Sequence, residues 1–348
     1  MTSIEHFQQR VQAAAAGKQP VRIRGGGTKD WYGQRLEGEI LDTRGYSGIV
    51  DYEPTELVIT ARCGTLLTEI EAVLAERKQM LAFEPPHFGA GATLGGTIAA
   101  GLAGPRRASS GGVRDFVLGA KLLDGKGDVL TFGGQVMKNV AGYDVSRMLT
   151  GSMGTLGLLL EVSVKVLPKP FAETTLRLQI GEIDAIRKLN EWGGQPLPAS
   201  SSCWHDGVLS LRLSGAQAAV DAAVRLIGGE IVQDCDAFWA GVREQQHPFF
   251  AGEGALWRLS VPSTTGAIVL GGEQLIEWGG AQRWLRTQLD GATIRRTVSA
   301  LGGHATLFRG GDKSAGVFQP LQPAIARIHE RLKASFDPAN IFNPGRMY

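Results

Sequence analysis

The run VRIRGGGTK, Val21 to Lys29, is a short β-branched and basic stretch that stops at three consecutive glycines. Glycine loses the most conformational freedom on folding and offers no side chain to pack. Three together at a strand end therefore mark a tight path or a close approach to a ligand. Two further clusters follow, Gly95-Gly96 and Gly151 to Gly157. Each alone reads equally well as a turn, and it is their joint order that carries information.

Two familiar phosphate-binding motifs are excluded. A Rossmann fingerprint needs a helix opening on its glycines, and Gly25-Gly26-Gly27 runs instead into Trp31-Tyr32. The string GxxxxGK[ST] of a P-loop does not occur. What remains is a set of bare loops whose backbone N–H groups can form a concave nest for an anion and let a flat ring approach the main chain. That suits one long nucleotide lying across several loops.

Composition narrows the class. The chain has 348 residues, long enough for two domains, with 36 basic and 34 acidic side chains, a net charge of +2 and no block of like charge. A polybasic nucleic-acid or lipid surface is excluded on that balance. Cys63, Cys203 and Cys235 are few, odd in number and widely spaced, which fits a reducing compartment without a disulfide framework. With no CxxC there is no iron–sulfur or cysteine–zinc site, and the histidines show no HxH or HxxxH spacing, so no metal is expected. Neither a secretory signal nor a membrane span is expected, since Glu161 and Lys165 break the most apolar stretch, Leu156 to Leu167.

The organisation reads as β/α alternation. A helix follows the T-x-x-E box of Thr2 and Glu5, with Ile4, Phe7 and Val11 on one face and Gly17 at its end. Strands are expected at Val21 to Arg24, Glu39 to Asp42 and Leu57 to Arg62, then a helix striped by Leu66, Ile70, Val73 and Leu74. Phe116 to Leu123 and Asp128 to Phe132 form a hairpin around Gly125-Lys126-Gly127, before a short helix at Asp144 to Leu149 and a strand at Leu158 to Leu167. The prolines of Leu167 to Phe171 mark the domain boundary, giving domains 1–170 and 171–348. In the second, strands are expected at Thr174 to Ile180, Ser201 to His205, Val208 to Leu213, Leu256 to Val261, Ala267 to Leu270 and Gln274 to Trp278. Helices are expected at Glu182 to Trp192, Gln217 to Ile227 and Pro320 to Ser335.

The order VRIRGGGTK, LVITARCGTLLTEIEAVL, ATLGGTIAAGLAGPR, VRDFVLGAKLLDGKGDVL and MKNVAGYDVSRMLTGSMGTLGLLLEVSVKVLP closely resembles the FAD-binding domain of the vanillyl-alcohol oxidase / PCMH flavoproteins, nearest their 2-hydroxyacid dehydrogenase branch. The match covers residues 1 to 170, and the ending DPANIFNPGRM resembles that branch's C-terminal signature. With EPPHFG and GGHATLF included, the whole chain is similar to the GlcE-type FAD-binding subunits of bacterial glycolate oxidase.

The resemblance implies an α/β (α+β) fold: an FAD domain of two α/β subdomains and a smaller α+β cap or substrate domain, with the C-terminal segment returning to the FAD site. It implies that Arg24, Gly25, Gly26, Gly27, Thr28 and Lys29 cradle the pyrophosphate, and that Ala92, Thr93, Leu94, Gly95 and Gly96 form a second diphosphate loop near Pro86. Gly111, Arg114 and Val117 would lie along the flavin, Gly154, Thr155, Gly157 and Leu159 on the adenosine side, and Asn343 near the ring. Members that tether FAD covalently commonly carry histidine where Thr28 stands, so the FAD is expected to be non-covalent.

Oxidation of a small 2-hydroxyacid needs a cation for the carboxylate and a base for the hydroxyl proton, while the flavin accepts the hydride. Arg106, Arg107 and Arg309 are candidates for the first role, against the more usual reading of solvated surface arginines, and His304 for the second, where a packed or hydrogen-bonded loop histidine reads as well. The tryptophans of the second half, including Trp204, Trp239, Trp257, Trp278 and Trp284, suit core packing or a pocket wall. Catalytic members of the branch usually carry HxGxGNxH in a longer C-terminal region, and that string is absent. The resemblance then implies partners: a catalytic flavoprotein subunit and an iron–sulfur subunit of a glycolate oxidase complex. The expected location is the cytoplasm, with docking at the inner face of the membrane through partners left open.

Overall fold

A computed structural model describes residues 3–134 and 144–347. Thr2 of the expected capping box and residues 135–143, which take in all of the MKNVAGYD motif but Asp144, lie outside them. The chain divides into two compact units: residues 1–102, 112–168 and 320–348 form one, residues 103–111 and 169–319 the other.

The first unit begins with α1 (Ser3–Gly17), whose Phe7, Val11 and Ala14 are buried as the apolar spacing requires. Strands β1 (Val21–Arg24) and β2 (Glu39–Asp42) pair in parallel. A five-stranded antiparallel sheet follows in the order β3 (Ile49–Glu53), β4 (Val58–Arg62), β8 (Leu158–Lys165), β6 (Val117–Leu123) and β7 (Val129–Gly133). The expected hairpin is β6–β7, closed by Asp124, whose carboxylate accepts from the N–H groups of Lys126 and Asp128. Leu160, Val162 and Val164 on β8 and Leu67, Ile70 and Leu74 on α2 (Leu67–Glu76) are all fully buried. The short pair β5 (Gln79–Met80) and β9 (Leu167–Pro168), with α3 (Leu94–Ala100), α5 (Val113–Phe116), α6 (Val145–Met148) and α11 (Pro323–Phe336), completes the unit.

The second unit holds an eight-stranded antiparallel sheet, in the order β13 (Glu230–Val232), β10 (Ala172–Gln179), β12 (Val208–Gly215), β11 (Ala199–His205), β15 (Glu273–Glu277), β16 (Gln282–Thr287), β14 (Ala255–Ser260) and β17 (His304–Arg309). One face is apolar. At one end Leu176, Leu209, Leu211 and Leu213 pack with α7 (Glu182–Gly193) and α8 (Gln217–Ile227); at the other Trp257, Leu259, Leu285 and Leu307 pack with α10 (Gly291–Ala300). Cross-strand register puts Arg177, Ser210, Cys203, Glu277, Gln282, Ser260 and His304 together on the other, polar face. The four-residue α4 (Arg107–Ser110) belongs to this unit, as does α9 (Asp236–Arg243).

Two readings change. Ala267 to Leu270 is not a strand: Ile268 plugs the core while Val269 is 95% exposed, and glycines on both sides release the segment from any ladder. GGHATLF is not a loop but β17, so His304 opens a strand. Among the described residues the strand pairs are antiparallel except for β1–β2.

Candidate FAD-binding site

Strand β1 is framed on both sides. Arg24 ends its pairing with β2, while Val21 donates to the Ile341 carbonyl and accepts from the Asn343 N–H, each within 2.9 Å. The chain then turns through Gly25 to Thr28, whose four backbone N–H groups donate to no acceptor among the described residues. They line a cleft of about 100 Å³ shared with Thr93, Gly96, Met153, Asn343 and Arg346. Four successive free amides on one loop form an anion nest.

The triple glycine has a second cause. A Cβ on Gly26 would sit 1.5 Å from the Gly91 carbonyl oxygen, so the first glycine loop presses directly onto the backbone of the second. Close approach was legible in the sequence; that its first object is another loop was not.

Charge in the loop is arranged around Asp30. Arg22 and Arg24 bond its carboxylate at 2.5 and 2.8 Å, so Arg24 is held by protein. Lys29 donates to the His87 carbonyl at 3.2 Å and lies over the Phe88 ring. Arg346, almost fully buried, donates to the carbonyls of Lys29 and Asp30 at 3.1 Å, and desolvation lowers its pKa to about 10 against the pull of Asp30. With three arginines meeting Asp30 and Lys29 lining the same cleft, the nest sits in a positive field that favours a diphosphate.

A second cleft of about 70 Å³ continues along Gly95, Gly96, Gly154, Gly157, Leu159 and Cys63, and shares Ile23, Gly25, Ala99, Met153 and Asn343 with the first. Asn343 joins its walls. Its Oδ1 accepts from the Ile23 N–H at 2.9 Å and its Nδ2 donates to the Met153 carbonyl at 2.7 Å, so both ends of the amide hold backbone. Gly154, at φ +72°, leaves room for that amide; a Cβ there would lie 2.6 Å from Nδ2.

The C-terminal signature is stapled beneath by a buried ion pair. Lys333 bonds Asp337 at 2.5 Å and also donates to the carbonyls of Thr155 and Phe342, while Asp337 accepts from the N–H groups of Ile341 and Phe342. Every polar end of the pair is satisfied, as burial demands.

Thirteen sequence-derived residues thus line the two clefts: Arg24, Gly25, Gly26, Gly27, Thr28, Lys29, Thr93, Gly95, Gly96, Gly154, Gly157, Leu159 and Asn343. Seven do not. Pro86, Ala92, Leu94 and Val117 are buried in packing, and Ala92 and Leu94 fix their loop through backbone bonds to Leu67 and Thr65. The Thr155 hydroxyl is spent on the Ser152 carbonyl. Arg114 is exposed beside Asp115, and Gly111 belongs to the second unit. Met153, Tyr32 and Arg346 line the first cleft and escaped the sequence reading, although Arg346 stands inside the terminal signature.

The catalytic candidates lie in the second unit and do not converge. Arg106 is buried and bonds Glu173 of β10 at 2.7 Å, which also accepts from the Ser214 hydroxyl. Arg107 stacks on Trp278. His304 and Arg309 are on β17, six strand steps from β10, on the order of 25 Å or more at ~4.8 Å per step. A bulge at Phe308 in the β14–β17 ladder re-aims Arg309 onto the face of His304, opposite Leu256 and Ser260 respectively. Desolvation, then Arg258, lowers the His304 pKa; desolvation, then Arg286, lowers that of Arg309. Both influences on His304 favour its neutral imidazole over the charged form.

A sequence-family profile described as FAD binding domain matches residues 1–133. Glycolate oxidase subunit GlcE of Escherichia coli (strain K12) is 51% identical over 340 residues, 98% of this chain and 96% of that protein. The chain belongs to the GlcE family. As in other FAD-linked oxidoreductases of the PCMH type, its N-terminal region is an FAD-binding domain. Two further relatives of this GlcE-family chain match over less than half of their own length. Glycolate oxidase subunit GlcD of Bacillus subtilis (strain 168) is 33% identical over 42% of the chain and 31% of that protein. D-lactate dehydrogenase of Archaeoglobus fulgidus is 31% identical over 51% and 40%. Alkyldihydroxyacetonephosphate synthase shares the fold, with a TM-score of 0.68 at 15% identity over 98% of this chain and 75% of that one. Among the described residues no helix is long and apolar enough to cross a membrane, and no cluster of metal ligands occurs.

Proposed function

We propose that the chain is the FAD-carrying subunit of a complex that oxidises glycolate, a small 2-hydroxyacid, and passes the electrons to an acceptor through partner subunits. The observation that carries the reading is the run of four amides from Gly25 to Thr28, unpaired among the described residues, in a positive cleft on a chain of the GlcE family. Bound FAD supplies the two-electron carrier. The protein's own part is binding and orientation. The amide nest takes the diphosphate, Asn343 fixes the spacing of the two glycine loops, and Arg346 and the Lys333–Asp337 staple hold the loop from behind. Thr28 in place of histidine makes the association non-covalent.

The partners in this reading are a catalytic flavoprotein subunit, since glycolate oxidase has another named subunit, GlcD, and an iron–sulfur subunit, since this chain has no cysteine cluster. Arg106, engaged by Glu173, favours a role in electron relay over substrate turnover by this chain alone. His304 and Arg309 are the remaining pair for a hydroxyacid. The domain division 1–170 and 171–348 and a cytoplasmic site at the inner membrane face belong to the same proposal. Anaerobic glycolate should bleach the flavin absorbance of the assembled complex and leave that of the isolated chain unchanged; an assembled complex whose flavin stays oxidised overturns the reading.

A further inference from the structure

A cavity on the polar face of the second unit lies far from β17. It measures about 350 Å³ and is bounded by β10, β12 and β11 on its floor and by α9 and His247 above. Such a volume falls within the range of small-molecule sites. Four strand steps, roughly 19 Å at ~4.8 Å each, separate β11 from β17, so this is not the neighbourhood of His304 and Arg309.

Arg177, Ser210 and His247 supply its donors, beside the Gln179 amide and the exposed carboxylate of Asp206. The Arg177 side chain, on the cavity floor, has no hydrogen-bond or ion-pair partner among the described residues, and neither has the hydroxyl of the buried Ser210. The Phe249 N–H donates to Nδ1 of His247, which leaves the ring proton on Nε2 as a further donor. Burial, then the neighbouring His205, holds His247 below the ordinary histidine range, so it enters as a neutral N–H. His205 bonds Glu273 at 2.7 Å and packs edge-on to His247 at 5.2 Å, while Glu230, opposite Arg177 in the β10–β13 register, and Asp206 form no ion pair with Arg177 among the described residues. Phe238 supplies an apolar wall.

We infer that this cavity binds a small organic carboxylate, with Arg177 gripping the carboxylate, His247 and Ser210 donating to its remaining oxygens, and Phe238 covering the carbon skeleton. A planar guanidinium fork matches a carboxylate, and the apolar wall favours an organic acid over inorganic phosphate. The assignment does not depend on which substrate reduces the flavin.

The test uses the full FAD-loaded chain, titrated calorimetrically with succinate and with inorganic phosphate. Succinate should bind with one site per chain and phosphate at least tenfold more weakly. Arg177→Gln should weaken succinate by about tenfold to a hundredfold, the worth of a charged hydrogen-bond pair, and Arg177→Lys by less. His247→Phe should weaken it severalfold, and His304→Ala should leave it unchanged. FAD content and melting temperature should match the wild type in all variants, which separates failure here from failure of the flavin reading. Absence of succinate binding to wild type, equal affinity for phosphate, or an Arg177→Gln variant that binds succinate as the wild type does overturns the assignment.

Discussion

At the scale of single residues, the account rests on a few side chains that hold backbone. Asn343→Ala strands the Ile23 N–H and the Met153 carbonyl, each worth ~1–3 kcal/mol when buried unsatisfied. It should weaken FAD affinity at least tenfold by fluorescence titration, with a lowered melting temperature. Gly26→Ala, driven into the Gly91 carbonyl, should abolish FAD uptake even where the protein remains soluble. Burial pushes the Cys63 thiol up to about 12 from 9.0, so the native state keeps its proton where the unfolded chain has lost it. That stabilisation is whole below pH 9 and is lost as pH rises toward 12. Accordingly Cys235 should react with a thiol reagent in the native protein at pH 8, with Cys63 and Cys203 reacting only after unfolding. The glycines and Asn343 were legible because backbone demands are written locally. Arg106 was not, because its partner Glu173 lies 67 positions away and nothing in RR marks which arginine meets a carboxylate.

At the scale of elements, regular periodicity was read well and mixed faces were not. The helices α7 and α8 and the strands β10, β11 and β12 stand close to their expected bounds, since clean apolar spacing defines them. Strand β16, QRWLRT, was missed because polar residues occupy both faces: Arg283 is fully buried on the helix side, held by the carbonyls of Gly280, Thr265 and Gly266. Strand β17 was hidden between glycines that proved to be its borders, and its bulge, which decides where Arg309 points, has no local signal. Helix α11 was expected, yet its use was not: Lys333 is its one buried side chain and anchors Asp337 of the signature. Lys333→Ala leaves Asp337 without its counter-ion and should cost ~3–5 kcal/mol in chemical denaturation, whereas the double variant Lys333→Met with Asp337→Asn should recover part of that loss.

At the scale of the whole molecule, the chain visits its units out of order. Residues 103–111 leave the first unit for the second, and residues 320–348 return to the first. A boundary read along the sequence sees only Leu167 to Phe171, because composition changes there and nowhere else so plainly. The return was announced by DPANIFNPGRM, whose residues make bonds to β1, to the 151–157 loop and to the 29–35 turn. The central claim, that these bare loops together enclose one FAD, is tested most directly by titrating apo-protein with FAD and following flavin fluorescence. The account predicts saturation at one FAD per chain, with all of the flavin released into the supernatant on acid precipitation. A chain that remains colourless and takes up no FAD would contradict it.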